Sequence, residues 1–184
     1  MQISSSHTWG STEKERSDSY RCDNFVTSFD DICFRAVSVF ATKEVIFRWL
    51  CQLKVAPYSY DWIDNFGRKS PIELTSGADQ LTIGEPVMTI FELLDFERNK
   101  SLTIKIKNHS TAEKIFGEFI VTYQINETSE NCRLIAKVIA KYPKGFYGRI
   151  LKLVLPFGDM IMMRKQLLTL KELSESSQPT FLLS

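Results

Sequence analysis

The first 24 residues show almost no apolar periodicity; they are serine-rich and charged and cannot bury enough surface to offset the entropy of ordering. Residues 1–24 are therefore expected to be a loose, disordered tail. From Asp31 the pattern changes to a period of two. Ile32, Phe34, Ala36 and Phe40 fall on one side and Cys33, Arg35, Val37 and Val39 on the other, as in a strand. Thr42 is then placed to cap a helix from about Lys43 to Leu53, in which Val45, Ile46, Trp49, Leu50 and Leu53 recur at helical spacing. Pro57 ends that helix, and Gly67 and Pro71 mark turns.

After Gly77 the pattern is that of successive strands. Val87 to Phe96 is nearly continuous apolar sequence. Leu102, Ile104 and Ile106 alternate with Thr103, Lys105 and Lys107, and Phe119, Val121, Tyr123 and Ile125 alternate with Glu118, Ile120, Thr122 and Gln124. In the next run Cys132, Leu134, Ala136, Val138 and Ala140 face one way, Arg133, Lys137 and Lys141 the other. Short polar connectors suit antiparallel hairpins, because parallel strands need long crossovers. Gly117 reads as a bulge or bend in its strand. The stretch from Gly145 to Ser174 is helical, apolar nearly all round to Met163 and amphipathic afterwards; Pro156 and Gly158 are expected to kink or break it, with Asp159 capping a second helical segment.

This order predicts an α+β domain, residues 25–175, in which a curved antiparallel sheet of six or seven strands grips one long C-terminal helix, with a frayed tail over 176–184. One helix cannot fill so wide a sheet, so an apolar cavity is expected between them.

Composition removes several classes. Lys and Arg total 23 against 22 Asp and Glu, which provides no basic face for nucleic acid. No apolar run is long enough to span a bilayer and no signal-peptide pattern opens the chain, so a cytoplasmic protein without integral membrane association is expected. Cys22, Cys33, Cys51 and Cys132 have neither zinc-site nor redox spacing and read as reduced thiols, mostly small core residues. His7 and His109 leave little material for a triad or a histidine-rich metal site, and the glycines form no phosphate-cradling motif, so neither a metal nor another cofactor is expected.

Six stretches together resemble one superfamily: FRAVSVFATKEVIFRWLCQL, APYSYDWIDNFGRKSP, LTIGEPVMTIF, FGEFIVTYQI, CRLIAKV and GDMIMMRKQLLTLKEL. They are similar to the SRPBCC superfamily, which includes START lipid-transfer domains, birch-pollen-allergen-like proteins and polyketide cyclases, and most of all to a bacterial polyketide cyclase-like branch. The resemblance implies a helix-grip fold with two short helices after the first strand. It also implies a small apolar partner (a lipid, polyketide-like or aromatic compound), either simply bound or acted on by a cyclase, aromatase or dehydratase without metal.

Within that frame Tyr58, Tyr60 and Trp62 are either a lid over a ligand or a plug between helices. Met88, Phe91, Ile104, Phe119, Tyr123, Phe157, Met160 and Met163 are candidate cavity walls, the methionines, with Met162, giving an adaptable surface. Asp61, Asp64, Asn65, Arg68 and Arg164 are candidates for a polar lid or rim; an internal Asp–Arg bridge accounts for them as well as ligand contact does. No residue matches a known catalytic set.

Overall fold

The computed structural model describes residues 5–60, 62 and 67–177. Six strands, β1 (Asp31–Val39), β2 (Pro86–Val87), β3 (Phe91–Glu97), β4 (Ser101–Ile106), β5 (Glu118–Glu127) and β6 (Cys132–Lys141), form one antiparallel sheet in the order β1-β6-β5-β4-β3-β2. Full-length pairing of β1 with β6 and of β6 with β5 makes one half of the sheet continuous. The apolar run from Val87 to Phe96 is not a single strand: Met88 takes a positive φ of 48°, and a turn separates the short edge strand β2 from β3.

Helices α1 (Ser5–Thr8) and α2 (Glu13–Ser17) precede the sheet, and α3 (Lys43–Cys51) follows β1. Thr42 caps α3 as its position predicts, accepting from the Val45 N–H, and a 3-10 turn over Gln52–Lys54 completes it. A short helix, α4 (Thr111–Phe116), lies between β4 and β5 where the alternation indicates only a hairpin turn. Gly117 ends α4 rather than bending a strand: at φ 94°, an added Cβ would sit 2.2 Å from the Lys141 carbonyl oxygen, so only glycine lets the backbones approach.

The long helix α5 (Phe146–Ser176) lies across the concave face, packed against β1 and α3. It runs unbroken through Pro156 and Gly158, and Asp159 is not a cap. Proline costs one N–H in the ladder. The carbonyl it leaves without that partner is that of Lys152, and the helix is held beyond the proline by Met163, Leu167 and Leu170, buried in the main core; Arg35 also donates to the Pro156 carbonyl at 3.2 Å.

The opening segment differs most from the expected loose tail. Between Trp9 and Phe25 it forms a strap over the outer face of the sheet, and Tyr20, Cys22, Phe34, Ile135 and Ile139 bury one another there as a second core. Glu15 binds Arg133 at 2.6 Å and Asp23 binds Lys137 at 2.6 Å. The Cys22 N–H donates to the Thr122 hydroxyl at 3.0 Å, and the Trp9 carbonyl accepts from the Ala36 N–H, covering the exposed edge of β1. Isolated anchors at positions 15, 20 and 23 have no period, and so a pattern reading misses them.

Candidate functional site

A cavity of about 400 Å³ lies between strands β3 to β5 and α5. Its floor is Phe91, Ile104, Val121 and Tyr123, and its roof is Met162 and Met163 of α5. Phe116 of α4 closes one side; the other is formed by Pro57 and Ser59 together with the turn Met88–Ile90. The wall is predominantly apolar, as strand alternation and the helix face dictate. Met88, Phe91, Ile104, Tyr123 and Met163, all named from sequence, meet there.

Two polar groupings interrupt the wall. The Tyr123 hydroxyl donates to Gln166 Oε1 at 2.6 Å, and Gln166 Nε2 donates to the Pro57 carbonyl at 2.7 Å, with the Met88 sulfur 3.7 Å away. One amide therefore holds the floor, the Pro57–Ser59 segment and the Met88 turn to α5. Burial raises the Tyr123 phenol well above its ordinary range, so it stays protonated and available as a donor.

The second grouping joins β1 to α5. Arg35, fully buried, donates to Asp159 Oδ2 at 2.9 Å, to the Pro156 carbonyl and to the Phe34 carbonyl at 2.9 Å, while its Nε meets no partner among the described residues. Asp159 lines the cavity. Burial pushes its carboxyl up to about 6, against the downward pull of the Arg35 charge. Neither residue stands out from sequence as a site residue. A signal is present, though: Arg35 is the lone cation in an apolar strand, and Asp159 a lone acid in an apolar helical stretch.

Other candidates take different places. Tyr58 lies beneath the cavity lip, 1% exposed, at φ 56° and edge-on to Trp49 with centroids 6.1 Å apart; it packs rather than covers. Tyr60 is half-buried, and Trp62, 75% exposed, does not close over the cavity. Phe119 packs edge-on to Tyr142. Phe157 does not face the cavity: two residues before Asp159 on a helix of 3.6 residues per turn, it points away and is 59% exposed. Met160 is half-buried outside the cavity wall. Arg164 lies 5.6 Å over the Trp9 ring, tying the strap to α5, and Arg68 is on an exposed loop. Asp61, Asp64 and Asn65 lie outside the described residues.

At the start of β1, His7, Asp31 and Cys33 bring three donor atoms within 4.8 Å of one another. His7 Nε2 is 3.1 Å from Asp31 Oδ2, and burial pushes the Cys33 thiol up to about 12, so the arrangement is that of a hydrogen-bonded pair beside a protonated thiol. All four cysteines are free and buried.

Comparison with known proteins finds no matching family model and no matching curated protein. Solved structures do match. Protein jhp0584 of Helicobacter pylori superposes with a TM-score of 0.55 at 12% identity, over 85% of this chain and 95% of that one. The di-domain ARO/CYC StfQ of the steffimycin biosynthetic pathway gives 0.51 at 10% identity, over 79% of this chain and 50% of that one, so this chain spans half of StfQ. Norcoclaurine synthase from Thalictrum flavum gives 0.50 at 10% identity, over 86% and 93%. At such identities the likeness is one of fold: this is the helix-grip fold that the sequence resemblance implied.

Proposed function

We propose that the protein binds a small, largely apolar molecule, a lipid, polyketide-like or aromatic compound, between its sheet and α5. The observation that carries this reading is the cavity of about 400 Å³, walled by methionine, phenylalanine and branched side chains with a single polar side at Gln166 and Asp159. That volume lies in the usual range for small-molecule sites, and thioethers adapt to varied apolar shapes. The polar side suits a ligand with one hydrogen-bonding group. The test combines native mass spectrometry and solvent extraction of the purified protein with thermal shifts across a lipid and aromatic panel. A carried or stabilising ligand is expected, lost when Ile104→Trp fills the cavity; silence across the whole panel would overturn the proposal.

A cyclase, aromatase or dehydratase role is the second reading, favoured by Asp159. A carboxyl poised at about 6 beside a buried guanidinium has the acidity of a general acid or base near neutral pH. In that case Asp159→Asn keeps ligand binding but loses turnover of the bound compound.

A further inference from the structure

The outward side of the first half of α5 is the least expected surface of the molecule. Phe146, Tyr147, Ile150, Leu153, Val154 and Phe157 are 79%, 49%, 43%, 82%, 60% and 59% exposed. At 3.6 residues per turn they occupy about a third of the helix circumference, opposite the side formed by Asp159, Met163 and Gln166. Isolated exposed hydrophobics are ordinary, but a continuous stripe of this size marks a surface that is covered in use.

Charge decides what covers it. Lys144 is exposed just before the stripe and Arg149 beside one edge of it, and the sequence has no acidic residue between Glu130 and Asp159. At the adjoining sheet end Glu118 is neutralised by Lys141 at 3.0 Å. A second copy of the chain would bring these cations against themselves with no carboxylate to answer them. An anionic surface with an apolar interior matches both features. Among the described residues no helix is long and apolar enough to cross a membrane, so α5 would lie in the interface plane with its stripe toward the acyl chains.

We propose that this face of α5 docks the protein on an anionic lipid bilayer, Phe146, Leu153 and Phe157 inserting between headgroups while Lys144 and Arg149 contact lipid phosphates. The surface is separate from the cavity, and its occupancy is measured independently of any ligand.

Flotation of the full chain with phosphatidylcholine vesicles, with and without phosphatidylserine, tests it. Binding is expected only with phosphatidylserine, weakening as salt rises. Lys144→Glu with Arg149→Glu is expected to lower the affinity at least about tenfold. Leu153→Asp is expected to abolish binding with its unfolding temperature unchanged, since the side chain contacts little of the core. No flotation with either vesicle, or equal flotation of the Leu153→Asp protein, overturns the proposal. So does a dimer in sedimentation that Leu153→Asp dissociates while wild type ignores vesicles, which assigns the stripe to a second copy instead.

Discussion

Gln166 touches three separate pieces of chain with one amide, and its replacement should be felt at all three. Gln166→Ala leaves the Tyr123 hydroxyl and the Pro57 carbonyl without their partner, and an orphaned buried polar group costs on the order of 1–3 kcal/mol. A loss of about 2 kcal/mol in urea denaturation is expected, together with faster release of any bound ligand as Pro57–Ser59 loosens. Unchanged stability and release would show that the amide is not what holds the lip. The same residue shows where reading a sequence stops. Tyr123 and Met88 stand out as cavity candidates by strand alternation and chemistry, but a glutamine among helical residues carries no mark of pairing with a tyrosine 43 positions earlier. Tyr58 and Trp62 look alike in the sequence. Tyr58, at φ 56°, is buried against Trp49 and Trp62 is open, a difference that composition does not carry.

Among elements, β1 and α5 are joined by the Arg35–Asp159 pair, and its titration has a definite sign. The Asp159 carboxyl sits at about 6 in the folded protein against an ordinary value of 3.8, so the folded state holds the proton more tightly than the unfolded one. The Asp159 contribution to stability is therefore greatest below 3.8 and declines as pH rises to about 6. Asp159→Asn does not titrate. Subtracting its stability from that of wild type should give a difference that falls across this window, and a flat difference would place the carboxylate in an environment that does not favour its neutral form. Glu15 has the opposite sign: burial works against its charge, but the Arg133 hydrogen bond and charge hold its carboxyl below the usual range, so it stabilises at higher pH. Most elements are legible because burial imposes a period: β1, β4, β5, β6 and α3 follow their alternation or helical spacing. α4 is too short to show a period, and the continuity of α5 through Pro156 goes with tertiary burial of Met163, Leu167 and Leu170, which local propensity does not carry.

For the whole molecule, the consequence of the strap is a sheet with two buried faces. Arg133 and Lys137 alternate with apolar residues as if facing solvent, yet Lys137 is buried against Tyr20 and Phe34, its ammonium 5.2 Å and 5.5 Å from their ring centres. Deleting residues 1–25 would expose Phe34, Ile135 and Ile139 and leave Lys137 without Asp23. A loss of at least about 3 kcal/mol is expected from the apolar area alone, with light scattering on heating as the uncovered β1 edge pairs between molecules. A truncated protein as stable and soluble as the full chain would make the strap dispensable. The strap also imposes an order on folding. Its contacts bridge long stretches of chain, 100 residues from Cys22 to Thr122, 114 from Asp23 to Lys137 and 118 from Glu15 to Arg133. Its seats exist only once β5 and β6 have paired, so a segment made before the strands that receive it is among the last to find its place, and closing those loops is a slow, late step. Until then the nascent sheet has one finished face and one bare one, and the interval before the strap arrives is when the molecule is most exposed to chaperones and to its own copies.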